Sequence, residues 1–148
     1  MRGLIVLALS LLSLNAFAAG SKIDIPKYDW SWKGFFGTYD RASAQRGLKV
    51  YREVCAGCHS MDLIAYRNLA DLGFSEAHIK AIAAEYLIPD GPNDEGEMFE
   101  REAIPSDRFA NPYPNVQAAR AANNGAYPPD LSLIVKARPK GADYLKAL

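Results

Sequence analysis

The chain has 148 residues, 49% of them apolar, and 17 lysines and arginines balance 17 aspartates and glutamates. That length holds about one domain. A net charge of zero argues against nucleic acid as a partner, since phosphate binding needs a basic surface.

The first residues read as a secretory signal peptide over 1–18. Arg2 gives a basic start, Leu4 to Leu14 an apolar run, and Ala16-Phe17-Ala18 a small-x-small cleavage pattern. An uncleaved anchor is the alternative, but the run is short for a bilayer span. The mature domain is then expected over 19–148. It has lost Arg2, so sixteen basic residues face seventeen acidic ones, a net of −1. No long apolar run follows, so no transmembrane helix is predicted in it.

Residues 22–39 are rich in rings and turn formers (Pro26, Tyr28, Trp30, Trp32, Gly34, Phe35, Phe36, Gly37, Tyr39) and predict an extended arm packing its rings over the domain. Asp40 is a predicted N-cap. From there Ala44, Gly47, Leu48, Tyr51, Val54, Cys55 and Cys58 recur at spacings of three and four, one face of an amphipathic helix. Gly47 weakens that helix and so points to close approach of another one.

The helix delivers Cys55-Ala56-Gly57-Cys58-His59, the pattern of covalent c-type haem attachment. On a last helical turn, a spacing of three sets the two side chains about 60° apart. Both thiols then reach vinyl groups on one porphyrin edge, and the imidazole of His59 can bind the iron as proximal ligand. A dithiol redox centre, half a zinc site and a short-loop disulfide are the competing readings of the cysteine pair. A zinc site lacks ligands, because only His78 remains unassigned.

Met61 to Leu72 is helix-compatible and closes at Gly73. Ser75 caps a further helix through Leu87, with His78 as a solvated surface residue. Prolines and glycines break residues 89–114, where Asp90, Asp94, Glu95, Glu97, Glu100 and Glu102 make an acidic loop. It is either a plain solvated loop or a steering surface for a basic partner. Asn115 caps a short helix to Ala122, closed by Asn123-Asn124-Gly125. Pro128-Pro129-Asp130 introduces another from Leu131 to Ala137, and Gly141 to Leu148 opens a last one.

The stretch from Gly34 to Leu148 resembles cytochrome c1. The matching runs include Arg46-Gly47, Val50-Tyr51, Cys55 to Met61, Ala65-Tyr66-Arg67, Asp90-Gly91-Pro92-Asn93 and Gly96-Glu97-Met98-Phe99. Most specific are the run from Ala118 to Ala126 and Pro128-Pro129-Asp130-Leu131-Ser132. The resemblance implies a mainly α, single-haem cytochrome c-like helical domain with long irregular loops. One haem c is expected on Cys55 and Cys58, with His59 on the iron and Asn123, Arg138 and Tyr144 near the propionates. It further implies a place beside cytochrome b and the Rieske iron–sulfur subunit, on the periplasmic face of a bacterial inner membrane, with a cytochrome c as electron acceptor.

In that family a distal methionine and a membrane-anchoring C-terminal helix lie beyond the Pro-Pro-Asp-Leu-Ser run, and neither is found in residues 1–148. Met61 is too close to His59 to reach the opposite haem face, and the counterpart of Met98 does not bind iron. The expectation is an incomplete C-terminus. The alternatives are a free periplasmic cytochrome, or a haem enzyme or gas-binding protein with an open sixth position.

Overall fold

A computed structural model describes residues 24–148; the expected signal peptide lies outside them. Asp40 caps the first helix, α1 (Arg41–Glu53), accepting from the backbone N–H groups of Ala42 at 3.1 Å and Ser43 at 3.2 Å. Next come a 3-10 turn at Cys55–Gly57 and a 3-10 helix at Tyr66–Leu72. Asn68 accepts from Ala65 N–H to start that helix, and Gly73, with φ of 87°, ends it in the left-handed region. Met61 to Ile64, expected as helix, is a turn in which Ile64 N–H meets the Met61 carbonyl.

Ser75 caps α2 (Glu76–Ala84) through the amide of His78, whose ring is exposed as expected. The helix stops short of the predicted Leu87, because Leu87–Asp90 forms strand β1 and pairs antiparallel with β2 (Phe99–Glu102). The region expected to be only loop thus begins with a hairpin. Arg101 binds Asp90 across it and donates to Asp107 at 2.8 Å, which ties the hairpin to the next loop. The carboxyls of Asp90 and Asp107 lie below their usual range, first because Arg101 hydrogen-bonds them. Asp94, Glu95 and Glu97 are exposed at the hairpin tip.

Three short helices follow: α3 (Val116–Ala122), capped by Asn115, α4 (Ile134–Ala137) and α5 (Ala142–Ala147). Both α1 and α2 pack on the 3-10 helix. Tyr51, Tyr66, Leu69, Ile79, Ala83, Ala103 and Phe109 form the core, with the Tyr66 ring centroid 4.9 Å from Phe109 and 5.6 Å from Tyr86. The mainly α expectation holds, with a two-stranded sheet added.

The predicted packing face of α1 is only partly used: Tyr51 is buried, while Val54 is exposed. Nothing lies within 4 Å of a Cβ built at Gly47, so no described helix approaches it. Gly47 instead borders an open apolar groove shared with Ala44, Met61, Ile64 and Leu72.

The aromatic arm also departs from expectation. Trp30, Trp32 and Tyr39 stack on one another, with centroids 4.6 and 5.0 Å apart. Trp30 Nε1 donates to the buried carboxylate of Asp143 at 2.5 Å and Tyr28 N–H does so at 3.2 Å, which fastens the arm to α5. Phe35 and Phe36, however, are 95% and 90% exposed at the tip of a turn closed by Gly37 N–H on Gly34 O.

Candidate haem-attachment site

The Cys-x-x-Cys-His run begins where α1 ends. Val54 leaves helical geometry, and the amides of Cys58 (3.1 Å) and His59 (2.9 Å) both donate to the Cys55 carbonyl. The motif therefore occupies a 3-10 turn rather than the last α-helical turn that the spacing suggested. Tertiary bonds account for the difference. The Tyr51 hydroxyl donates to the His59 carbonyl at 3.2 Å, and Leu131 N–H donates to the Ser60 carbonyl at 2.9 Å. These partners draw the backbone off the helical path.

Cys55 is half-buried, Cys58 is exposed, and both thiols are free. The half-buried imidazole of His59 sits with Nδ1 2.8 Å from the Pro129 carbonyl oxygen. A carbonyl only accepts, so Nδ1 carries the hydrogen, and in the neutral ring the lone pair is then on Nε2. One turn thus presents two thiols and one imidazole. Among the described residues no group of three or more His, Cys, Asp or Glu side chains converges as a metal site, so the four-ligand zinc reading finds no support. A thioredoxin-type pair opens a helix, whereas this one follows α1.

The segment from Pro129 to Ser132 grips this turn along its length. Asp130 Oδ2 accepts from Ser60 Oγ at 2.9 Å and Asp62 N–H at 2.7 Å, and its Oδ1 accepts from Ser132 N–H at 2.8 Å. Ser132 Oγ takes Leu63 N–H at 3.0 Å. Partial burial raises the Asp130 pKa, but the bonds from Asp62, Ser132 and Ser60 outweigh it, and the carboxyl lies below its usual range. Sequence reasoning missed Pro129 and Asp130 as site residues, although it singled out the run that holds them.

A groove of about 130 Å³ opens beside Cys58, bounded by Ser60, Tyr113, Val116, Tyr127 and Pro128. Asn123 reaches it indirectly: its Nδ2 donates to the Tyr113 hydroxyl at 3.1 Å and to Ala119 O at 2.7 Å. Arg138 and Tyr144 form a separate pair, the guanidinium carbon 6.0 Å from the ring centroid. Arg138 is exposed and Tyr144 half-buried, next to the Asp143 that anchors the arm. The structure therefore unites Cys55, Cys58 and His59 on one turn, places Asn123 behind the groove wall, and holds Arg138 with Tyr144 at the α4–α5 corner.

This is a mainly α domain organised around one Cys-x-x-Cys-His turn. Residues 30–148 match the Cytochrome C1 family, and the chain belongs to that family. It is 56% identical to the potato (Solanum tuberosum) mitochondrial protein named cytochrome c1-2, heme protein, over 90% of this chain and 52% of the relative. It is 54% identical to cytochrome c1 of Rhodospirillum rubrum, over 85% of this chain and 46% of that one. A Candida albicans relative named cytochrome b-c1 complex catalytic subunit is 52% identical over 88% of this chain. The chain spans about half the length of the curated relatives it matches. Among the described residues no helix is long and apolar enough to cross a membrane.

Proposed function

We propose that this chain holds one covalent haem c and transfers single electrons as the cytochrome c1 component of a membrane-bound quinol-oxidising complex. The observation that carries the proposal is the bond from His59 Nδ1–H to the Pro129 carbonyl, made beside two free thiols. It leaves Nε2 available as an axial ligand on the same turn as both attachment points. The donor set fits haem c. Cys55 and Cys58 would hold it through thioethers, since adding S–H across a vinyl double bond puts sulfur on one carbon and hydrogen on the other, with no leaving group and no oxidant. His59 Nε2 would supply a ligand to its iron.

When bound, the haem supplies an iron that alternates between its ferric and ferrous states. The protein's part is to fix the ring's position, its axial ligand and its electrostatic surroundings. Arg138 suits a propionate, because a guanidinium forks onto a carboxylate. Tyr144 supports the same group, while Asn123 acts through Tyr113. The names of the relatives, which include a heme protein and a subunit of the cytochrome b-c1 complex, support this reading.

In that setting the electron comes from a Rieske iron–sulfur subunit neighbouring cytochrome b and leaves to a cytochrome c. Residues 1–18 direct export, and residues 19–148 form the haem domain on the periplasmic face of the inner membrane. A haem-stained denaturing gel of membrane and soluble fractions tests the whole. A covalent haem band in the membranes, lost when both Cys55→Ala and Cys58→Ala are introduced, is the expected result. A band confined to the soluble fraction overturns the complex assignment. Titratable free thiols and no haem band overturn the cofactor.

A further inference from the structure

We propose that Asp130 is the positioning residue for the proximal ligand: its carboxylate fixes the Pro129 carbonyl on His59 Nδ1 and thereby tunes the bound iron. This rests on the haem reading above. Asp130 directly follows Pro129, so whatever holds its carboxylate also holds the peptide unit that bonds the imidazole. Three donors do so. Two of them, Ser60 Oγ and Asp62 N–H, belong to the two ends of the short segment leaving His59, and the third, Ser132 N–H, closes the turn on the other side.

Leu131 N–H on Ser60 O and Leu63 N–H on Ser132 Oγ extend the clamp to five bonds between Ser60–Leu63 and Asp130–Ser132 or within the latter. The two segments are some seventy residues apart in sequence, as the separation of 70 between Ser60 and Asp130 shows. The imidazole–carbonyl bond is thus the end of a rigid, charge-assisted network and not an isolated contact. A second partner on a metal-ligating histidine sets its ring orientation and its basicity, and through these the potential of the metal.

The test uses the haem-loaded protein and two variants, Asp130→Asn and Ser60→Ala. The asparagine keeps the size of the side chain but presents an NH₂ group where one of the carboxylate oxygens now accepts. The alanine leaves the charge in place and removes one donor. Two readouts are taken: solvent exchange of the His59 Nδ1–H by proton NMR, and the haem midpoint potential. In Asp130→Asn, exchange of Nδ1–H is expected to speed up about tenfold, the weight of one hydrogen bond, and the potential to rise as the imidazole donates less to the iron.

Ser60→Ala is expected to move both readouts in the same direction by less. The amides of Ile79 and Ala83, in the core away from the clamp, are expected to keep their protection, which separates repositioning from general loosening. Nδ1–H exchange that stays at the wild-type rate in both variants overturns the proposal, and any rise in potential then reports only the lost charge. If Asp130→Asn fails to fold, Ser60→Ala decides alone. A wild-type protein without covalent haem instead defeats the underlying reading, so the two failures are distinguishable.

Discussion

Tyr51 joins the core to the Cys-x-x-Cys-His turn, and Tyr51→Phe separates the two roles. The ring is buried against Phe109, at a centroid distance of 5.9 Å, and its hydroxyl donates to the His59 carbonyl. Burial, followed by the negative charge of Asp130, pushes its pKa from 10.0 up to about 12. Tyr51→Phe keeps the ring contacts and removes one donor, which at neutral pH costs about 0.5–1.5 kcal/mol. The sign of the alkaline effect follows from linkage. Between pH 10 and about 12 the unfolded chain has lost this proton while the folded chain retains it, so stability falls as pH rises.

A difference of two pH units corresponds to about 2.7 kcal/mol at most, and screening at the solvent-reached edge leaves about 1–2 kcal/mol. Urea unfolding of wild type and Tyr51→Phe at pH 7, 10 and 12 measures this. The variant lacks the titrating hydroxyl, so its deficit at pH 7 is expected to close or reverse by pH 12. Other tyrosines and lysines titrate in both proteins and cancel in the difference. A constant gap between the two curves would refute the reasoning, because it would mean that the hydroxyl's environment does not favour the neutral form.

Arg101→Met is expected to weaken the hairpin near neutral pH but not in acid. The folded Asp90 and Asp107 carboxyls lie below 3.8, so what they contribute is complete above about that pH and lost as pH falls further; melting temperatures of variant and wild type should converge between pH 6 and pH 2.5. Gly47→Ala should stabilise the described fold by about 0.5–1 kcal/mol, since an alanine there gains helix propensity and meets nothing within 4 Å. A loss of stability in urea unfolding would reveal a neighbour packed on that groove. Neutralising Asp94, Glu95 and Glu97 together should slow association with a basic cytochrome c at low salt in stopped-flow mixing, with the rates converging at high salt; equal rates at low salt would mark a plain solvated loop.

What the sequence made legible was local. Asp40, Ser75 and Asn115 cap helices within three residues of their own position, and the Cys55 to His59 turn carries its three donors in five consecutive residues. The hairpin was not legible. Leu-Ile-Pro-Asp and Phe-Glu-Arg-Glu lack the alternation that marks a half-buried strand, and their pairing depends on Arg101 reaching across to Asp90 and on Ala103 N–H reaching the Tyr86 carbonyl.

The same distinction runs through the site. Pro129 acts through its backbone carbonyl, a group every residue possesses, so no side-chain pattern announces it. Asp130 acts on donors some seventy residues away, where no periodicity links the two. Their run stood out only through family resemblance, which marks a segment without saying what it does. The geometry supplies the reason: among the described residues, the imidazole Nδ1 on the turn that presents the thiols has this carbonyl as its hydrogen-bond partner. The Cys-x-x-Cys-His run carries the two thiols, while the orientation of the His59 ring is specified by a second segment, so on the proposed haem reading substitutions in Pro129–Ser132 should alter iron properties without abolishing attachment.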